Sequence, residues 1–497
     1  MMHGLEKSDP AIVATKPVNK AGQPAAEWVE PRVGTEGNAG QSRTHRTQCR
    51  ESVSQGLERV RQAARLRKKE RFTALMHHVT VERLWAGFDA LKQRSAPGID
   101  GVTWHDYEAN LIPNLRALHA RLHDGRYKAQ PVRRRYIPKP DGSVRPLGVT
   151  ALEDKIVQRA VVEVLNAIYE SDFRGFSYGF RPGRGQHDAM DALAFGIQAQ
   201  RVNWILDADI KGFFDSLSQE WLIKFLEHRI GDRRMIRLIQ KWLRAGVLDE
   251  GEWSVSATGT IQGAVISPLL ANVFLHYVFD LWADRWRRAE ARGKVIIVRY
   301  ADDIVLGFEH EADARQFWDA MRARLEHFGL ELHGVKTRLI EFGRYADERR
   351  RRRGLGRPET FKFLGFVFIC GRARRGCFQL QRKSRGDRMR AKLHEIKATL
   401  RKHLHAPLPE QGKWLRAVLN GYFAYHAVPT NMRSLQSFRQ RVASAWRRVL
   451  SRRSQKARIN WERMMRIADA WLPQPRILHP WPDRRFAANH PRWEPNA

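Results

Sequence analysis

The stretch from Lys294 to Phe308 constrains this chain more than any other. An apolar run, Val295 to Val298, leads into Tyr300-Ala301-Asp302-Asp303, and a second run, Ile304 to Leu306, leads out. β-Branched residues on both sides of a short polar centre predict two strands joined by a tight turn. The turn carries two adjacent carboxylates, Asp302 and Asp303. Like charges in a buried setting are costly unless a cation neutralises them. Two readings follow. A divalent metal binds at the tip of the hairpin, or a solvated Asp-Asp turn joins two surface strands, since Asp is a common turn residue.

A second stretch bears on that choice. Between Asn203 and Asp215, strand-forming residues surround Asp207 and Asp209, and Gly212-Phe213-Phe214 ends the run. A period of two puts Asp207 and Asp209 on one face of a regular strand. Three carboxylates from neighbouring strands, Asp209, Asp302 and Asp303, can hold two Mg²⁺ ions about 3.5–4 Å apart, which activate an attacking hydroxyl and stabilise a leaving oxygen. Mg²⁺ prefers carboxylate, water and substrate phosphate as ligands. Nucleotidyl transfer onto a nucleic-acid 3′-hydroxyl needs this arrangement.

Charge names the partner class. Among 497 residues, 88 Lys and Arg stand against 53 Asp and Glu, a net charge of +35. A balance this basic implies a polyanionic partner, and nucleic acid fits best. No stretch approaches the ~20 apolar residues of a membrane span. Met1 to Asn38 has no apolar core segment, so no signal peptide is expected. Cys49, Cys370 and Cys377 are the only cysteines. They are too few for a disulfide framework and suit a reducing cytoplasm.

Taken in order, residues 1–55 are rich in Gly, Pro, Gln, Thr and Ser and are expected to be disordered. Helical patterning begins near Ser54, with a basic run at 65–71, and returns from Val81 to Leu91. Arg133 to Gly148 predicts a basic hairpin around the Pro140-Asp141-Gly142 turn, with Arg133, Arg134, Arg135, Lys139 and Arg145 able to clamp phosphates. An amphipathic helix follows from Leu152 to Glu170. Ser177 to Gly185 is a Gly-rich loop bearing Arg181 and Arg184, suited to close approach to a phosphate backbone. Gly259 to Asn272 forms a loop feeding a helix that runs to about Trp286. Beyond the hairpin come a helix from Ala312 to Phe328, a flexible basic loop at Arg349 to Arg353, and a buried strand from Phe361 to Phe368. This order describes an α+β fold with an antiparallel sheet. From Gln381 to Asn460, 20 Lys and Arg face 3 Asp and Glu, and helical periodicity dominates. That region reads as a separate basic helical domain, its interleaved aromatics serving as core or as platforms for base stacking.

At these residues the chain resembles reverse transcriptases, specifically the reverse transcriptase/maturases encoded by bacterial group II introns. Tyr300-Ala301-Asp302-Asp303 is similar to the family's Y-A-D-D box, and Asp209 to Asp215 to its first catalytic block. Gly259 to Asn272 resembles the G-T-P-Q-G-x-x-I-S-P-L-L-A-N block. Tyr136 to Gly142, Arg145 to Gly148, Ser177 to Pro182 and Phe363 to Phe366 resemble the remaining finger and palm blocks. Leu419 to Tyr425 and Arg452 to Lys456 resemble the thumb/maturase domain.

The resemblance implies a right-hand polymerase: fingers and palm over 56–375, a helical thumb/maturase domain over 376–470, and an irregular tail over 471–497. It implies two Mg²⁺ ions held by Asp209, Asp302 and Asp303, with Ile210 beside them and Asp207 ranked second. Phe214 matches the aromatic gate that excludes a 2′-hydroxyl, its other reading being core packing. Gln262, Lys139 and Arg145 match residues that contact the incoming nucleotide. Lys336 stands where the family has a lysine near the leaving pyrophosphate, as a general acid or an exposed structural residue. Arg181, Arg184, Tyr422, Arg452, Arg453 and Lys456 are the implied nucleic-acid contacts. Implied partners are the group II intron RNA, an RNA template with a DNA primer, dNTPs and a second copy of the chain, in a bacterial cytoplasm and with no membrane.

Ile261 stands where the family usually has Pro, and Ala264 where Gly is frequent; both flank Gln262. The paired Cys-x-x-Cys zinc ligands of the family's C-terminal endonuclease domain do not occur, so an endonuclease is not expected and priming would come from another source. Two other functions compete: a splicing cofactor with vestigial polymerase activity, and a retron, CRISPR-linked or defence reverse transcriptase.

Overall fold

The computed structural model describes residues 56–138, 144–249, 252–254, 258–453 and 459–489. The proposed N-terminal extension at 1–55, the Pro140-Asp141-Gly142 turn, Lys139, Lys456 and the last residues of the tail lie outside the described residues. Eleven strands are described: β1 (Val132–Pro138), β2 (Val144–Val149), β3 (Trp204–Asp209), β4 (Val247–Asp249), β5 (Glu252–Ser254), β6 (Val295–Tyr300), β7 (Asp303–Phe308), β8 (Arg338–Glu341), β9 (Phe361–Phe363), β10 (Phe366–Arg372) and β11 (Phe378–Ser384).

The central sheet has the order β6-β7-β3-β8, and every pairing in it is antiparallel. β6 and β7 carry continuous apolar runs, Val295 to Val298 and Ile304 to Leu306, because both faces of the sheet are covered there. Val295, Ile297, Ile304, Leu306, Phe308, Leu206 and Ala208 enter one hydrophobic core. Their alternate neighbours Ile296, Val298, Val305, Ile205 and Ile340 enter another. The period-two rule therefore operates, but with an apolar partner on each side. The first core is built mainly from helices, among them Leu152–Tyr169, Ser267–Leu275 and Glu311–His327. The second is closed by the Gln186–Ala199 helix and by the sheet β9-β10-β11, which contributes Phe361, Phe363, Phe366 and Phe368. Apolar runs on β6 and β7 thus mark strands buried on both faces, and the reading of a turn between surface strands does not hold.

β1 and β2 form the expected basic hairpin, in register from Arg133 opposite Val149 to Pro138 opposite Val144. β4 joins β1 in parallel and β5 completes that sheet. Together the sheets and helices make a mixed α/β fold.

Four expectations are corrected. Phe361 to Phe368 is not one strand: Leu364 and Gly365 take positive φ and fold it into β9 and β10, paired antiparallel. Arg349 to Arg353 is not a flexible loop: Ala346–Arg352 is helical. Asp347 and Glu348 pair with Arg351 and Arg352 one turn later, and Glu341 pairs with Arg349 and Arg353. These i,i+4 pairs offset the repulsion within the basic run. The helical region begins at Gly386 and not at 376, because β11 is paired with β10. Its helices, Gly386–Lys402, Leu408–His426, Met432–Leu450 and Trp461–Trp471, close around Leu415, Leu419, Phe438 and Trp446. Finally, the tail is not irregular throughout. Pro482–Asn489 is a helix packed on Gln186–Ala199, where Arg485 Nε lies 3.0 Å from Asp191 Oδ2. The preceding segment is anchored too, with Leu478 N–H and His479 N–H both donating to Ala427 O.

Candidate active site

Register builds the hairpin tip. Tyr300 pairs with Asp303, leaving Ala301 and Asp302 as a two-residue loop. Ala301 adopts a φ of 55°, the sign that a type II′ turn requires at its first loop position. A non-glycine residue there carries roughly 1–2 kcal/mol of strain, which its surroundings must offset. Gly179 lies flat against the turn: a Cβ there would stand 3.0 Å from the Tyr300 carbonyl carbon and closer still to Ala301 N. From the strand below, Arg299 Nη1 donates to Ala301 O at 3.1 Å.

Asp209, the last residue of β3, stands directly opposite Asp303. Facing positions of an antiparallel pair put Cβ atoms about 4.5–5.5 Å apart, where like charges repel. Asp207 shares that face two residues earlier. Burial pushes the Asp207 carboxyl up to about 6, against the opposing pull of Arg338. The segment after Leu332 pins Asp209 from the other side. His333 N–H donates to Asp209 O at 2.8 Å, and Asp209 N–H donates to Thr337 Oγ1 at 3.4 Å. Lys336 Nζ, from the same turn, reaches Asp209 Oδ2 at 3.0 Å. Ile210 is buried and bridges to Leu332.

Asp303 is exposed and Asp302 half-buried, so the strands are dry while the acids meet solvent. Among the described residues, no three His, Cys, Asp or Glu side chains stand together as a metal cage. Mg²⁺ does not need one: it is usually bound through one or two carboxylates, with waters and substrate phosphates completing the shell. Hard carboxylate oxygens from Asp209, Asp302 and Asp303 at one end of one sheet suit that ion.

Phe214 is half-buried beside Phe213, their rings 5.4 Å apart and edge to face. Its carbonyl accepts from Thr260 N–H at 2.7 Å, which ties it to the Gln262 loop. That loop is also fastened to β2, because Gly148 N–H donates to Gln262 O at 2.6 Å. A side chain at Gly148 would collide with Ile261 and Val132. Arg145, opposite Ile137 on the same hairpin, is half-buried. Phe214, Gln262 and β2 are therefore linked through main-chain hydrogen bonds.

Other predicted residues hold the protein together. The Arg181 guanidinium is buried, bonded to Glu170 and to the carbonyls of Arg174 and Ser177. Arg184 donates to Ser177 O and Gly175 O and lies over the Tyr178 ring. Burial pulls its pKa down to about 10. Arg181 thus shapes the loop from within, while Arg184 is half-buried and tied to it through Nη1. Tyr422 is buried and stacked on Phe438 at 3.7 Å, a core position rather than a platform for bases. Arg453 Nη2 donates to Ala406 O at 2.6 Å, while Arg452 is exposed.

Sequence reasoning passed over Ser177, Asn272, Asp280 and Arg299, which lie beneath the turn, and His333 and Thr337, which hold Asp209. Ser177 and Asn272 fell inside blocks that carry the family resemblance but were given no role, and Arg299, a lone cation in an apolar strand, gave a local signal.

Residues 137–368 match the family model for reverse transcriptase (RNA-dependent DNA polymerase). The chain therefore carries a reverse-transcriptase domain. Protein YkfC of Escherichia coli (strain K12) is 37% identical over 243 residues, covering 43% of this chain and 64% of that protein. The group II intron-encoded protein LtrA of Lactococcus lactis subsp. cremoris is 34% identical over 222 residues, 44% of this chain and 37% of that one. A 91 kDa protein in the cob intron of Schizosaccharomyces pombe is 32% identical over 264 residues, 52% and 32% respectively. The domain is thus related to those of group II intron-encoded proteins, and its relatives are not confined to bacteria. In each case the match covers less than two thirds of the relative.

Proposed function

We propose that the chain is an RNA-directed DNA polymerase that copies intron RNA and binds that RNA to assist splicing and mobility. The observation that carries the reading is Asp209 opposite Asp303, beside Asp302, within the stretch that matches the reverse-transcriptase model. Asp209, Asp302 and Asp303, with the chain at Ile210, would hold two Mg²⁺ ions, which supply charge to activate a primer 3′-hydroxyl and stabilise the leaving oxygen. Phe214 would limit the sugar to a deoxyribose, and Gln262 would pack against the incoming nucleotide. Lys336, within hydrogen-bond reach of Asp209, is a proton donor for the departing pyrophosphate. Lys139, and Arg145 from β2, would grip the triphosphate. In the right-hand scheme, β1 and β2 belong to the fingers, the central sheet is the palm, and the helices after Gly386 are the thumb. The excess of cations in that last region supports a long contact with RNA. The test is extension of a DNA primer on an RNA template, comparing wild type with Asp302→Ala/Asp303→Ala. Loss of extension with RNA binding retained is expected; undiminished extension refutes the assignment.

A further inference from the structure

Arg299 is fully buried in the strand that leads into the hairpin turn, and so is Asp280. Nε and Nη2 of Arg299 donate to the two carboxylate oxygens of Asp280 at 2.7 and 2.6 Å. Nη2 also donates to Ser177 Oγ at 2.7 Å. Nη1 donates to Asn272 Oδ1 at 3.0 Å and to Ala301 O at 3.1 Å. A guanidinium has five N–H donors, and each has an acceptor here. Those acceptors come from four places in the chain: the segment before Gly179, the Ser267–Leu275 helix, the π-helical turn His276–Asp280, and the catalytic turn itself. Asn272 passes the constraint on, since its Nδ2 donates to Gly179 O at 2.7 Å, and Gly179 is the residue pressed against Ala301.

We infer that Arg299, clamped by Asp280, is the positioning residue of the active site: its guanidinium sets the strained Ala301 turn and thereby the placement of Asp302 and Asp303. The inference rests on the polymerase reading above. Two features favour positioning over plain stabilisation. A buried ion pair is often matched or bettered in stability by well-packed apolar residues, so stability alone does not call for one. The fifth donor is aimed at the carbonyl of a residue with positive φ, two positions beyond Arg299 and beside the first turn carboxylate. The π-helical turn that carries Asp280 is a rare element that recurs at functional sites.

The experiment compares wild type, Arg299→Lys, Ser177→Ala and the apolar pair Arg299→Met/Asp280→Leu in single-turnover incorporation of dNTP on an RNA template. Thermal unfolding, RNA binding and the Mg²⁺ concentration for half-maximal rate are measured alongside. The apolar pair should bind RNA within about threefold of wild type while its rate falls about 100-fold, the cost of a displacement near 1 Å, and its Mg²⁺ midpoint rises. Arg299→Lys keeps the charge but loses the fork, and should show the same pattern in weaker form. Ser177→Ala removes one acceptor and decides the matter should the apolar pair not fold: a fall of roughly tenfold in rate at unchanged RNA affinity is expected. Apolar-pair and Ser177→Ala variants that extend at the wild-type rate with the wild-type Mg²⁺ midpoint would overturn the inference. A wild type that does not extend at all would instead overturn the polymerase reading.

Discussion

Replacing Gly179 by Ala perturbs the hairpin without touching a titratable or metal-binding group. The added Cβ would stand 3.0 Å from the Tyr300 carbonyl carbon and 3.2 Å from Ala301 Cα, where ordinary contact begins at 3.4 Å. Both neighbours are backbone, so no side chain can swing aside. The turn must retreat by at least about 0.4 Å, and by more at Ala301 N, which is closer still. Overpacking of this kind costs about 1–3 kcal/mol of stability. The larger effect is on rate: a misplacement approaching 1 Å at a reacting centre costs about 100-fold, equivalent to about 2.7 kcal/mol of barrier. Gly386→Ala is the control, since Gly386 is helical and its Cβ would meet nothing within 4 Å. It should leave the rate unchanged and raise stability slightly, by about 0.4–1 kcal/mol. Single-turnover dNTP incorporation at a temperature where both variants are folded reads the difference. Gly179→Ala extending within threefold of wild type would refute the claim that the close approach of Gly179 helps to hold the turn in place.

Three further outcomes follow from other parts of the molecule. Burial pulls His276 down to about 4, with Asp280 opposing and Arg174, Arg299 and Arg181 reinforcing. The unfolded residue, near 6.5, takes up a proton that the folded one refuses, so stability falls as pH drops from about 6.5 to about 4, by up to about 3 kcal/mol. His276→Gln should flatten that acid limb in urea melts against pH; a limb of wild-type steepness would contradict the account. Arg485→Ala removes a partner of Asp188 and Asp191, although Asp191 keeps Arg382. A loss of about 1–3 kcal/mol and faster proteolytic release of the segment after Leu472 are expected, and an unchanged cleavage rate would show that the C-terminal helix is held by other contacts. RNA affinity should fall steeply with salt, with a logarithmic slope near −0.7Z on single strands and −0.9Z on duplex for Z neutralised phosphates. A slope equivalent to one or two phosphates would contradict the broad basic surface.

The hairpin, the Asp209 strand and the basic β1/β2 hairpin were legible because their signals are local. A two-residue turn between apolar runs and an acid pair at period two need no tertiary information. The arginines were harder, because charge does not show which way a side chain turns. Arg181 and Arg184 sit in a Gly-rich loop that looks built for phosphate, yet Nη1 of each donates inward, to the carbonyls of residues 174, 175 and 177. The Arg349 to Arg353 run was readable in principle, since Asp347 and Glu348 lie four residues before Arg351 and Arg352. Nothing local pairs Arg299 with Asp280, 19 residues earlier, or brings Arg485 to Asp191. Those contacts exist only once helices have packed on sheets.

The central claim is that the Asp302-Asp303 turn opposite Asp209 performs nucleotidyl transfer on an RNA template. Incorporation of a single dNTP onto a primer annealed to RNA, followed as Mg²⁺ is titrated, tests it most directly. Wild type should extend the primer in a Mg²⁺-dependent manner, and Asp302→Ala/Asp303→Ala should not rise above a reaction without protein while still binding the RNA. Extension by the double variant at a rate near wild type would contradict the account.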